Sequence, residues 1–235
     1  MAEPSARCCL QLQPSKCFWD TRVEVVQNID DWAHSPGDCH LGLLDGPAGF
    51  RKSVIARTVA KWWDHSNFLA GTFFFFWNSG DQSKVIWLVS TLAYHLTHYI
   101  PETKQSIKNA LIDDPSLLHQ PIEHQFQKLI VDPIVALSKQ SHRRMIIIDA
   151  LNECEDHEPI RQLITFTASI DYFKFPVDFF FTSRREEHIC KIFESTSFSH
   201  MIYHLSLSNT AFNVHRDIKH FLRSQFSMIY EPHLR

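Results

Sequence analysis

Apolar residues recur along this 235-residue chain in two rhythms. Five short, continuous apolar runs have the length and composition of strands buried on both faces: Leu41–Asp45, Gly71–Trp77, Met145–Asp149, Val177–Thr182 and Met201–Leu205. Between them, apolar positions fall three or four apart. That spacing predicts helices over Thr21–Trp32, Lys52–Asp64, Val85–Tyr99, Ile122–Leu137, His157–Ile170 and Glu186–Phe193, with a shorter one after Pro101. In the second of these, Ile55, Val59 and either Trp62 or Trp63 face inward. Pro133 predicts a kink, because proline has no N–H and its ring clashes with the preceding turn. Pro36-Gly37 signals a turn. A last amphipathic stretch, Asn213–Phe226, carries Ile218, Phe221, Leu222 and Phe226 on one side. Strands alternate with helices, so the pattern predicts an α/β three-layer sandwich with a mostly parallel central sheet, followed by the start of a helical subdomain. Residues 1–20 show no periodicity and read as a linker, 21–206 as one core, and 207–235 as the beginning of that helical subdomain.

Composition adds exclusions. Hydrophobic residues make up 44% and charged residues 21%, which is globular rather than disordered. A formal net charge of -3 supplies no electrostatic reason for a nucleic-acid or anionic-membrane partner. The six cysteines are scattered without a C-x-x-C pair, and the N-terminus has no long apolar stretch, so reduced thiols and a cytoplasmic location are expected. The aromatic run Phe73–Trp77 is too short to cross a bilayer and reads as core. His95 and His98 share a helix face but have no third ligand at metal-site spacing, so they read as surface or interface histidines.

The first strand runs into Gly46-Pro47-Ala48-Gly49-Phe50-Arg51-Lys52-Ser53 and then into a helix. The Walker A pattern, G-x-x-x-x-G-K-[S/T], is met at Gly46, Lys52 and Ser53, while its second glycine is Arg51. In such a loop the first glycine turns the chain off the strand, and successive backbone N–H groups make a concave nest for the β-phosphate. The helix N-terminus adds its positive end, the lysine reaches the β- and γ-phosphates, and the hydroxyl holds Mg²⁺. Arginine in place of glycine costs on the order of 1–2 kcal/mol if a positive φ is required there, yet arginine also binds phosphate. By itself the segment reads equally well as a plain strand-to-helix turn.

A second run, Met145–Asp149, ends in an acid, as a Walker B strand does. Asp149 would hold Mg²⁺ near Ser53, and Glu153 would orient or deprotonate attacking water. The next strand ends in Thr182-Ser183-Arg184. Ser183 and Arg184 suit sensing of a γ-phosphate, or alternatively a helix N-cap followed by a surface arginine.

These segments, in this order and spacing, resemble the NACHT domains of STAND NTPases, especially fungal, nephrocystin 3-like ones. The matching pieces are G-P-A-G-x-x-K-S-x-I-A-R-T-V-A, F-F-F, T-L-A-Y-H-L, I-I-I-D-A-L-N-E-C and F-T-S-R, with a lead-in at Cys17–Arg22; together they cover roughly residues 17–228. The resemblance implies a nucleotide-dependent signalling switch that binds Mg²⁺ with ATP or GTP through Gly46, Pro47, Ala48, Gly49, Phe50, Arg51, Lys52, Ser53, Val54, Ser183 and Arg184. It places the metal on Ser53 and Asp149 and the hydrolytic acid at Glu153, and it implies protein partners or self-association. Four positions depart from the family: Phe50-Arg51 stands for Thr-Gly, Asn152 for Asp, and Asn78 for an arginine. They leave open a second reading, a non-catalytic P-loop interaction module acting as a fragment or regulator of full-length NACHT proteins.

Overall fold

In the computed structural model, β1 forms over Leu41–Asp45, the bounds that its apolar run predicts. The structure describes residues 23–35, 37, 39–77, 84–137, 142–194 and 199–208. The lead-in 1–20, Pro36, Asn78 and the helix expected over Asn213–Phe226 lie outside them.

Helix α1 (Val23–His34) precedes β1, and α2 (Lys52–His65) follows it. Then come β2 (Leu69–Phe74), α3 (Ile86–Tyr99) and α4 (Lys104–Asp113). The chain continues through α5 (Ile122–Phe126), α6 (Asp132–Val135), β3 (Arg144–Asp149) and α7 (His157–Ser169). It then forms β4 (Val177–Ser183), α8 (Glu187–Phe193) and β5 (Ile202–Ser206). The five strands make one sheet in the order β2-β3-β4-β1-β5, and every described pair is parallel.

The two faces of the sheet carry separate apolar cores. Leu44, Met145, Ile147 and Phe180 pack against α1 and α2. Leu43, Ile146, Ile148, Phe179 and Phe181 pack against α3, α4, α5, α7 and α8. This is the three-layer α/β arrangement expected of a P-loop NTPase. Trp63 is the inward tryptophan of α2, at 1% exposure, while Trp62 stays 48% exposed.

Two elements differ from expectation for physical reasons. The strand predicted over Gly71–Trp77 starts earlier and stops at Phe74, because β3 ends at Asp149, the residue in register with Phe74. Phe76 and Trp77 therefore leave the sheet and are exposed, contrary to their reading as core. The helix predicted over Ile122–Leu137 is interrupted by a π turn at Gln127–Val131, just before Pro133 rather than at the proline itself. A wider turn upstream is one way a helix accommodates the missing proline N–H.

Crossovers decide where a ligand could sit. The helix after β1, α2, lies on one face, and the helix after its neighbour β4, α8, lies on the other. Adjacent strands whose following helices diverge open a crevice beyond their carboxyl ends. The Gly46–Ser53 loop lies there.

Candidate functional site

The loop begins where β1 ends. Asp45 is 4% exposed, with Oδ2 2.9 Å from His204 Nε2, and its carbonyl accepts the Leu207 N–H at 2.8 Å. Burial pushes its carboxyl up, but His204, Ser206 and the charge of Arg185 together outweigh this and the group ends below its ordinary range. The end of β5 is thus stitched to the root of the loop. Gly46 has a role other than the one its sequence position suggests. A Cβ there would lie 2.9 Å from Leu207 Cβ, so space rather than backbone freedom demands glycine.

The left-handed angles occur further on, at Gly49 (φ 81) and at Arg51 (φ 60). Arg51 takes, as N-cap of α2, the conformation that the second glycine of the motif would supply, and no side chain caps the helix there. Pro47, Ala48 and Gly49 are exposed, while Phe50 packs against the core on the α1–α2 side. The Val54 N–H is turned back to the Arg51 carbonyl at 3.0 Å.

Lys52 is drawn inward. Its Nζ donates to the carbonyls of Gly46 at 2.6 Å and Pro47 at 3.0 Å. Burial lowers its pKa and the charge of Arg184 adds to this, while Asp149, Asp45 and Glu153 pull the other way. To reach a phosphate, the ammonium would exchange those two carbonyl bonds for phosphate oxygens.

Asp149 is 2% exposed. The Ser53 hydroxyl is near enough to its carboxylate to favour the ionised form, so the two residues expected to hold the metal lie together. Thr182 Oγ1 donates to Asp149 Oδ1 and accepts the Ala150 N–H at 3.0 Å. Burial pushes the Asp149 carboxyl up, and the two hydroxyls and the charge of Arg57 oppose that rise. A carboxylate beside hydroxyls is an oxygen-only donor set, which suits Mg²⁺.

Glu153 and Arg184 complete the cluster. Glu153 Oε2 accepts the Trp77 N–H at 3.1 Å, and Oε1 lies 3.9 Å from the Arg184 guanidinium. Asn152 Oδ1 accepts the Arg184 N–H at 2.8 Å, so the position where an aspartate was expected ties the end of β4 to the turn after β3. Lys52, Ser53, Asp149, Glu153 and Arg184 therefore gather at the carboxyl end of the sheet. Ser183 is placed differently. It is fully buried, in register with Asp45, on the opposite face from Thr182. Thr182 is the β4 residue that touches Asp149, and strand alternation was the signal for it: Ile148 pairs with Phe181, which puts Asp149 beside Thr182. Arg57, one helical turn after Ser53, falls within the matched segment I-A-R-T-V-A, but that segment gave it no role.

Among solved structures, Cdc6p from Pyrobaculum aerophilum is similar at 11% identity and a TM-score of 0.49, a likeness too low to argue from. The comparison covers 84% of this chain and 48% of that one, so this chain spans about half its length. No curated protein matches the chain. The family model described as nephrocystin 3, N-terminal, matches residues 21–184, from α1 through β4 and its Arg184. With well over half its length so matched, the chain belongs to the nephrocystin 3, N-terminal family.

Proposed function

We propose that this domain is a nucleotide-binding signalling switch of the NACHT kind, taking Mg²⁺ with ATP or GTP and hydrolysing it slowly. The observation that carries this reading is the meeting of Ser53, Asp149 and Thr182 where the Gly46–Ser53 loop enters α2. The loop N–H groups and the start of α2 take the β-phosphate, and Lys52 turns from the loop carbonyls to the β- and γ-phosphates. Ser53 and Asp149 hold Mg²⁺, which when bound neutralises phosphate charge and orders the phosphates. Glu153 positions water, and Arg184, beside it, answers to the γ-phosphate. Nucleotide then shifts the population between two states, one of which recruits protein partners or self-associates.

The same reading places the protein in the cytoplasm, without nucleic-acid or membrane partners, as a fungal NLR-like STAND protein with its helical subdomain beginning at 207. Among the described residues no helix is long and apolar enough to cross a membrane. Titration of the purified chain with fluorescent ATP and GTP analogues in Mg²⁺ tests the proposal, with saturable binding expected. Its absence up to millimolar nucleotide sinks the switch.

The second reading, a non-catalytic interaction module, is favoured by one specific observation. Glu153 is engaged by the Trp77 N–H and lies beside Arg184, so its carboxylate is already partnered rather than poised as a base. Single-turnover hydrolysis separates the two. The switch predicts slow turnover that Glu153→Gln abolishes, and the module predicts binding with no turnover in either protein.

A further inference from the structure

We propose that the stacked rings of His157 and His188 form a pH-sensitive clasp that positions Glu153 and Arg184. This rests on the nucleotide-switch reading above and deepens it.

The segments that follow β3 and β4 meet twice. At the first meeting Glu153 Oε1 lies 3.9 Å from the Arg184 guanidinium, and Asn152 Oδ1 accepts the Arg184 N–H at 2.8 Å. Each chain then runs four residues further, to His157 at the start of α7 and to His188 in the first turn of α8. There the two rings lie face to face, with centroids 4.2 Å apart and planes 12° from parallel. The helices behind them pack together, with Ile160, Leu163, Ile189 and Ile192 in one apolar core. The stack is therefore a second joint between the two turns that carry Glu153 and Arg184.

This joint suits neutral rings. His157 is exposed and His188 half-buried, and His188 Nε2 is buried with no hydrogen-bond partner among the described residues. Protonation puts an N–H on both ring nitrogens, so the one at Nε2 has no acceptor there. Protonation of both rings sets like charges against each other at stacking distance. Burial lowers the pKa of His188 and the charge of His157 adds to this, while Glu186, whose Oε2 lies 3.7 Å from His188 Nδ1, opposes both. Other charges on these segments are engaged: Glu158 pairs with Arg161, Glu187 with Lys191 and Arg185 with Glu194, and Asp156 accepts the Val85 N–H. Glu155 is exposed. A base whose folded pKa is depressed adds stability that is present above its unfolded value and lost as pH falls below it. At neutral pH the clasp is shut. As pH falls through the histidine range, charge gathers on the stack, the starts of α7 and α8 are pushed apart, and Glu153 and Arg184 lose their common frame.

The test uses the full chain as wild type, His157→Gln, His188→Gln and the double variant. The His188 ring, followed by NMR, should titrate below its ordinary value in the wild type and at a higher pH in His157→Gln. The same midpoint in both proteins overturns the coupling. Between pH 7 and pH 5, the melting temperature of His188→Gln should fall by about 2 °C less than that of the wild type. His157→Gln should show part of this reduction, and the double variant no more than His188→Gln. No reduction in His157→Gln, or reductions that add in the double variant, show independent rings and overturn the clasp. Other titrating groups are common to the four proteins and cancel in the comparison. In a second arm, a fluorescent nucleotide analogue with Mg²⁺ is titrated at both pH values. From pH 7 to pH 5 the wild type should lose roughly fivefold more affinity than His188→Gln, and equal losses overturn the positioning of Glu153 and Arg184. If the wild type binds no nucleotide at pH 7, the switch reading fails and the positioning half falls with it, while the NMR midpoints still decide whether the two rings are coupled.

Discussion

Arg51 concentrates the tension in this site into one residue. It holds φ 60 at the N-cap of α2, a conformation that costs a residue with a Cβ about 1–2 kcal/mol relative to glycine. Arg51→Gly should therefore raise the melting temperature by about 3 °C, read by differential scanning calorimetry. On the switch reading it should also raise nucleotide affinity. A lower melting temperature would show that contacts of the arginine outweigh its strain, and a lower affinity would show that it binds phosphate. The positive φ could be anticipated from Gly46, Lys52 and Ser53 alone, because the spacing of the motif dictates the backbone at position 51. The inward turn of Lys52 onto the carbonyls of Gly46 and Pro47 could not, since the motif specifies the loaded site and not the order of the loop without ligand. Thr182 lay between these cases. Its residue type was plain, but only the β3–β4 register aims it at Asp149.

At the scale of elements, two polar contacts hold parts of the sheet that no apolar pattern reveals. The first caps β2, which ends the sheet among the described strands. The Thr72 N–H donates to His95 Nδ1 at 3.2 Å, so this histidine is buried rather than at the surface as its sequence context suggested. Burial drives its pKa from 6.5 down to about 4, and only an unprotonated Nδ1 can accept the Thr72 bond. A base whose folded pKa is depressed adds stability that is present above the unfolded value of 6.5 and lost as pH falls from there towards about 4. Between pH 7 and pH 5, His95→Gln should lose roughly 2 kcal/mol less stability than the wild type, measured by urea unfolding. Parallel losses in the two proteins would contradict the buried neutral ring. The second contact lies at the start of β4, the central strand. Asp178 is 1% exposed and bonds the Arg143 guanidinium, with Oδ1 2.8 Å from His40 Nδ1, while Arg143 also donates to the Ser35 carbonyl at 2.6 Å. Asp178→Ala should cost about 3 kcal/mol in urea unfolding, because it strands a partly buried guanidinium. A cost under about 1 kcal/mol would place the ion pair among those that solvent screens. Element positions themselves were legible, because continuous apolar runs and three-to-four spacing report burial directly. Element ends were less so. The end of β2 depends on how far β3 extends, and that is a property of the pair rather than of either segment.

At the scale of the whole molecule, function rests on strand order. Inserting β4 between β1 and β3 separates the loop strand from the acid strand and places Thr182 where it can hold Asp149. Alternating elements made the parallel sheet legible, but no residue pattern encodes the order β2-β3-β4-β1-β5; the pairing of whole strands does. If the crevice beyond β1 and β4 takes Mg²⁺-nucleotide, ligand present at about a hundred times its dissociation constant stabilises the fold by about 2.7 kcal/mol. The corresponding rise in melting temperature is about 5 to 10 °C, absent when EDTA replaces Mg²⁺. The most direct measurement is a calorimetric titration of Mg²⁺-ATP and Mg²⁺-GTP into the wild type and into Lys52→Ala. A nucleotide-binding P-loop requires saturable heat with the wild type and none with Lys52→Ala, whereas no heat with either protein, or equal affinity in both, would contradict it.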